Sequence, residues 1–333
     1  MHTIGMTKAR SMGPVVAAVQ RAGGSVPRLF RRAELPQRLV DHPNSLIPLR
    51  DQLKLVEFAA LEIGDPSLSA RLSTEGGVRH LGAFGDYVCA APGLGQAIGR
   101  CNAQMSLMLQ SATSLRLLPQ GGDVMWTYSL TDDATIGRQK NEILALGYMI
   151  DLIRRFAKHA PVTVRAQLPG PPPVDRSTIQ DTLGCEIARG AIAALIFPSC
   201  HLELINPGPP VLHNHEGDQN LPDPSDMVAH IERLIVLGLL DRRPAENWVC
   251  RKLRTSSRSM QRTLAAAQTS YGQILGRMLS RRAAELVSDD AMSITQIGYE
   301  LGYSDGAHFT RAFTRWFGES PQSWRRRAAA TGF

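Results

Sequence analysis

The chain has 333 residues, a formal net charge of +7, and 43% hydrophobic and 20% charged residues, the balance of a soluble globular protein of about two domains. No apolar run approaches the ~18 residues that a membrane span needs, and residues 1–12 lack the apolar stretch of a secretory signal. The cysteines (Cys89, Cys101, Cys185, Cys200 and Cys250) are odd in number and scattered, with no CxxC spacing; this excludes a disulfide framework and fits a reducing cytoplasm.

Residues 1–11 are expected to form a flexible N-terminus. From residue 12 to 208 the pattern is mixed α and β. Short helices are expected at 15–20 and 27–32. Leu49, Leu53, Val56 and Ala60 form one stripe of an amphipathic helix at 49–61. Residues 75–100 read as Gly-rich loop and helix. Residues 115–118 and 124–130 read as strands about Gly121, Gly122 and Asp123, a hairpin signal. A long apolar helix follows at 141–158, then strand candidates at 162–168, 185–189 and 191–197.

Pro and Gly cluster twice, at 169–173 and between Asn206 and Pro224. The second cluster is long and polar enough to link domains, giving a Pro-rich linker at 209–224. The charge changes at its end. Residues 225–333 hold 16 basic and 10 acidic residues, a net of +6, and the rest of the chain is near neutral. A compact basic segment following a neutral one points to a polyanionic partner or to a solvated basic face.

From 225 onward everything reads as helix: 225–240, opened by Ser225 or Asp226 as N-cap, then 244–253, 257–267, 272–287, 293–301 and 305–317. The last two form a helix-turn-helix. The first buries Ile294, Ile297 and Leu301. Gly302 supplies the sharp turn, and Ser304 or Asp305 caps the second helix. That helix buries Phe309, Phe313 and Trp316 and presents Ala307, His308, Thr310, Arg311 and Arg315 outward. Such a face suits a DNA major groove about 12 Å wide. The pattern recurs upstream at 244–267, where Met260 and Leu264 are buried and Arg258, Gln261 and Arg262 point out. The helix between the two units has the length to set the two outward helices about one duplex turn apart.

The stretch 294–324 resembles the signature of AraC/XylS-type bacterial transcription regulators. The resemblance is carried by Leu301-Gly302-Tyr303-Ser304-Asp305, Phe309, Arg311-Ala312-Phe313, Arg315-Trp316, Gly318, Ser320-Pro321 and Trp324-Arg325. Gly298 stands where an Ala is usual, and Thr255-Ser256 replace a Met-Ser. The resemblance implies base contacts at Arg258, Gln261 and Arg262 in the first unit and at Gly306, Ala307, Thr310 and Arg311 in the second. Gly306 and Ala307 offer little hydrogen bonding, so the first unit is expected to carry more base readout. The resemblance further implies promoter activation through contact with RNA polymerase, with repression by site occlusion as the other possibility.

The N-terminal portion resembles the arabinose-binding-type regulatory domain of the ornithine-utilisation branch of these regulators. Here the resemblance rests on Ile47-Pro48-Leu49, residues 64–68, residues 91–97 and Leu195-Ile196-Phe197-Pro198. It implies sensing of a small effector, dimerisation or both, without naming the effector. Trp126 and Tyr128, at i and i+2 on a predicted strand, with Arg116 on the preceding strand and Tyr148 on the long helix, are candidate effector contacts. The alternative is that these aromatics pack the core.

Other motifs are weaker. Residues 93–99 have one residue too many for a dinucleotide fingerprint and no preceding strand. His213, His215 and Glu216 lie in the linker without a second ligand cluster, so neither metal nor cofactor is expected. GxSxG, Walker A and HExxH motifs are absent, and no catalytic residues are assigned. The expected fold is an α+β regulatory domain followed by an all-α domain (225–333) with two helix-turn-helix units joined by a long helix. Three functions remain open: an effector-sensing regulator of double-stranded DNA, a regulator whose N-terminal domain only dimerises or binds protein, and an enzyme with a DNA-binding appendage. The Arg325-Arg326-Arg327 run is expected either on phosphate or in solvent.

Overall fold

The computed structural model describes residues 4–158, 162–208, 220–241, 244–289 and 291–331. The chain divides into two compact units, Met1–Ser225 and Asp226–Phe333. His213, His215 and Glu216, with most of the Pro-rich segment, lie outside the described residues.

The first unit is α+β. It begins with β1 (Met6–Lys8), then α1 (Gly13–Arg21) and α2 (Val26–Ala33). Next come β2 (Leu46–Pro48), α3 (Leu49–Ile63) and α4 (Leu68–Gly76). β1 pairs antiparallel with β2, with Thr7 opposite Ile47, and is buried along its length. The expectation of a flexible N-terminus is therefore corrected for residues 4–11. Met6 is fully buried, and the Met6 N–H donates to Ser111 Oγ, so this short strand is stitched to residues a hundred positions away.

Two further helices, α5 (Ala83–Cys89) and α6 (Leu94–Met108), lead into a five-stranded sheet. Its strands are β3 (Thr113–Gln120), β4 (Asp123–Leu130), β5 (Arg165–Leu168), β6 (Glu186–Arg189) and β7 (Ala193–Pro198). They lie in the order β3-β4-β7-β5-β6, with only β5 and β6 parallel. The β3–β4 loop is two residues, with Gln120 opposite Asp123. Gly121 has φ +63°, the left-handed conformation that a tight hairpin turn requires and glycine adopts without steric cost. A long helix, α7 (Arg138–Ala157), packs on the sheet, and α8 (Arg176–Leu183) bridges β5 to β6. The sheet and α7 share one apolar core that includes Trp126, Ile150, Ile153 and Leu195.

The second unit is all helix: α9 (Met227–Gly238), α10 (Glu246–Leu253), α11 (Ser257–Ala266), α12 (Tyr271–Ser288), α13 (Ile294–Glu300), α14 (Gly306–Phe317) and α15 (Pro321–Thr331). Asp226 is the N-cap of α9 and accepts from the Ala229 N–H at 2.9 Å. The 18-residue α12 is about 27 Å long and packs against α9, α13, α14 and α15. Among the described residues no helix is long and apolar enough to cross a membrane.

Candidate DNA-reading helices and regulatory cavity

The α13–α14 pair is fixed by local chemistry. Ser293 and Gln296 form a reciprocal capping box at the start of α13, satisfying backbone donors that a helix start leaves free. Gly302, at φ +75°, turns the chain. Asp305 caps α14, its Oδ1 accepting from the His308 N–H at 2.7 Å. That bond holds the Asp305 carboxyl below the usual carboxylate range and keeps a negative charge at the helix N-terminus, where the helix dipole favours it. Gly298 lets the helices close: a Cβ there would lie 3.1 Å from Phe309 Cβ.

Phe309 and Phe313 are fully buried. Phe313 is the hub of an aromatic cluster, with ring centroids 4.7 Å from Phe317, 5.7 Å from Trp324 and 5.8 Å from Phe309. The expected burial of Trp316 is corrected. It is half-buried and packs edge-on against Tyr303, because it lies in the last turn of α14, at the rim of the cluster.

The outward side of α14 carries exposed Ala307, His308, Arg311 and Arg315. Thr310 is half-buried, and its hydroxyl donates to the Gly306 carbonyl at 2.8 Å. Gly306 faces α13, where a Cβ would come 3.3 Å from Thr295 Oγ1. Its local role is therefore close helix approach.

The α10–α11 pair repeats the arrangement. Arg254 takes the left-handed turn position at φ +49°, and Ser256 caps α11 by accepting from the Ser259 N–H at 3.1 Å. Met260 and Leu264 are buried, and Arg258, Gln261 and Arg262 are exposed. Gln261 Nε2 donates to Glu246 Oε1 at 2.9 Å, which holds that side chain across the two helices. Arg258, Arg262 and Arg315 form no side-chain hydrogen bond or ion pair among the described residues, so their guanidinium groups are open to a partner.

The C-terminal arginines divide by role. Arg325 donates from Nε to the Val287 carbonyl at 3.0 Å and from Nη2 to the Met292 carbonyl at 2.8 Å. It therefore closes the end of α12. Arg327 pairs with Glu319 at 2.8 Å and covers the Trp324 ring. Arg326 is exposed.

In the first unit, the helix-facing side of the β3–β4 hairpin walls a cavity. About 60 Å³ is open to the centres of water-sized molecules, several times the ~10–15 Å³ that one water needs. Trp126, Tyr128 and Tyr148 line it, and Trp126 and Tyr128 also belong to the buried core. Arg116 does not. It pairs with Thr127 and so lies on the opposite face of the strands from Trp126 and Tyr128, exposed to solvent; the period of two excludes it. Gln110, Asn141, Gln52 and Thr7 were not expected here and also line the cavity. They come from segments far apart in sequence, and no local motif marks them.

Tyr128 Oη accepts from Gln110 Nε2 at 2.7 Å and Asn141 Nδ2 at 2.8 Å. Burial pushes its phenol up to about 12, so it stays neutral. Trp126 Nε1 donates to Asn102 Oδ1 at 2.9 Å. Residues 93–99 carry no dinucleotide cradle. They open α6, which follows α5 without an intervening strand, and Gly95 lies against the Leu202 carbonyl. Among the described residues no group of His, Cys, Asp and Glu side chains could hold a metal ion.

Two successive helix-turn-helix pairs, each presenting open arginines, following an α+β unit with a cavity, define the class: a DNA-binding regulator. Comparison with known families agrees. Residues 23–205 match the arabinose-binding domain of AraC transcription regulators, N-terminal, and residues 249–327 match a helix-turn-helix domain. The chain belongs to the AraC family of DNA-binding transcription regulators. It is 26% identical over 325 residues to the ornithine utilization regulator of Pseudomonas aeruginosa, covering 92% of each chain. It is 35% identical over 79 residues to the transcriptional activator RhrA of Rhizobium meliloti, 23% of this chain and 25% of that one. Among solved structures, the transcriptional regulator CdpR of Pseudomonas aeruginosa aligns over 82% of this chain and 90% of its own, at 20% identity and a TM-score of 0.38.

Proposed function

We propose that this chain controls transcription by reading paired elements of double-stranded DNA with α11 and α14, under the control of a small effector held in the cavity of the first unit. The observation that carries the reading is the pair of capped helices, α11 and α14, whose outward faces present Arg258, Arg262, Arg311 and Arg315. Arg258 and Arg262 are the candidate base readers, since an Arg fork matches the guanine edge in the major groove. Gln261 joins them once it leaves Glu246. Arg311 is the candidate base reader of the second unit, and Arg315 supplies a phosphate contact. Ala307 and the Thr310 methyl are suited to thymine methyl contact, and Gly306 lets α14 approach.

The working division is a regulatory unit through residue 208, a Pro-rich linker at 209–224 and a DNA-binding domain from 225 onward. Effector binding would act by favouring one presentation of the DNA-binding domains over another, which requires different affinity for the two. Activation through contact with RNA polymerase is the favoured outcome, in keeping with the activator named above, and a homodimer would present two DNA-binding domains to paired half-sites. The cavity favours an effector-sensing unit over one that only dimerises.

The test is promoter DNA binding by gel shift at several salt concentrations. A sequence-specific complex that weakens with salt in wild type and loses its base preference in Arg262→Ala supports the proposal. Equal weakening on every sequence would move Arg262 to the phosphates.

A further inference from the structure

The second unit holds a groove of its own. It runs between the first half of α12 and one side of α14, with about 590 Å³ open to the centres of water-sized molecules. Gly272 and Gly276 line it from α12, and His308, Arg311, Arg315 and Trp316 line it from α14. No Asp or Glu is among the described residues on its wall. Arg315 is exposed, and its guanidinium has no hydrogen bond or ion pair among the described residues. His308 Nδ1 lies 3.9 Å from Asp305 Oδ2, so Arg315 is the stronger of the two attractions for an anion. Trp316 is half-buried and leaves part of an apolar ring on the same wall.

Gly276 is the unexpected residue there. It lies inside α12, where glycine weakens a helix relative to alanine. Its φ is not positive, and a Cβ on it would meet nothing within 4 Å. The same holds for Gly272, one turn earlier. Neither backbone conformation nor packing among the described residues calls for glycine at either position. A bare stretch of helix surface facing two arginines admits the close approach of a chain from outside the molecule.

The surroundings favour DNA as that chain. His308, Arg311 and Arg315 form one stripe along α14, and Arg311 is its candidate base reader. With α14 in a major groove, the strand bordering that groove runs beside this stripe. A sugar–phosphate strand offers both an anion for Arg315 and apolar sugar carbons for Trp316. We infer that the groove between α12 and α14 seats the DNA backbone at the edge of the α14 site. Arg315 holds a phosphate, His308 is a second donor to it, and the two glycines let the strand pass close over α12. This rests on the DNA-reading proposal above and adds α12, otherwise a connector of the two reading pairs, to the binding surface.

The experiment uses the full chain, the duplex it selects from random DNA, and a scrambled duplex of equal length. Gly276→Glu places a carboxylate on the groove wall, where it repels a phosphate. It should weaken binding severalfold on both duplexes and leave base preference intact, since phosphates carry no sequence information. It should melt no lower than wild type, because Glu is a better helix former than Gly. Arg281→Gln changes the charge by the same amount at an exposed position of α12 outside the groove and should bind nearly as wild type does. Arg315→Ala should lower the slope of log affinity against log salt by about one. Adding Gly276→Glu to Arg315→Ala should cost less than Gly276→Glu alone, because both act on one phosphate. Ethylation of single phosphates should block wild-type binding beside the α14 element, and that block should fade in Arg315→Ala. Equal losses in Gly276→Glu and Arg281→Gln, or full additivity with Arg315→Ala, overturn the groove as a backbone seat and leave DNA reading standing. If Gly276→Glu melts lower, the ethylation pattern decides alone, and no interference beside the α14 element overturns the seat. A wild-type chain that selects no duplex overturns the DNA reading itself.

Discussion

Phe313→Ala should unseat α14. The side chain is fully buried and touches three aromatic rings, two of them within α14 and one, Trp324, on α15. Truncating a buried Phe costs about 3–5 kcal/mol, and domains of this kind have only ~5–15 kcal/mol in total. With a urea slope near ~1.5 kcal/mol/M, the midpoint falls by roughly 2 M or more. Tryptophan fluorescence is the natural assay, because Trp248, Trp316 and Trp324 all lie in the second unit and only Trp126 in the first. Trp316→Ala is the internal control. Its ring is half-buried, so the loss should be only about 1–2 kcal/mol. A midpoint shift under about 0.5 M for Phe313→Ala, or equal shifts for the two variants, would refute the assignment of Phe313 as the hub.

Other outcomes follow from named contacts. Arg325→Ala should destabilise the second unit by about 2 kcal/mol, since charge-assisted bonds to the carbonyls at the end of α12 are lost; Arg326→Ala, changing an exposed side chain, should leave the melting temperature unchanged. Arg262→Ala should cost about 1–3 kcal/mol on its best DNA site and relax preference at one base pair, read by competition binding with single-base variants of that site. Glu142 supplies a pH test. Burial raises its carboxyl to about 7, against the opposing pull of Arg138. The folded chain therefore holds this proton where the unfolded chain has lost it. The stabilising contribution is complete below ~4.3 and is lost as pH rises through about 7. Glu142→Gln should melt higher than wild type above that pH, with the difference shrinking in acid. A constant difference across the range would contradict the shift.

The second unit was legible because its signals are local. Ser293, Gly302 and Asp305 mark the boundaries of α13 and α14, and the apolar spacing at Phe309 and Phe313 marks the inner face. The sequence did not reveal α15. Its Trp324 completes the aromatic cluster, yet a segment of Arg and Ala shows no apolar stripe. In the first unit the β3–β4 hairpin was plain from Gly121 and Gly122, and the same two-residue loop fixes the register that turns Arg116 away from Trp126. The cavity was only half visible. Two of its aromatics, Trp126 and Tyr128, share one strand, but Thr7, Gln52 and Asn141 meet them only through long-range packing. The three-residue β1 is too short for any periodicity to show.

The central claim is that α11 and α14 both read DNA. The measurement that bears on it most directly is selection of the full chain on random double-stranded DNA at fixed salt. The account predicts a motif of two elements about one helical turn apart, with Arg262→Ala degrading one element and Arg311→Ala the other. Salt-sensitive binding with no preferred sequence, in the presence and absence of candidate effectors, would contradict it.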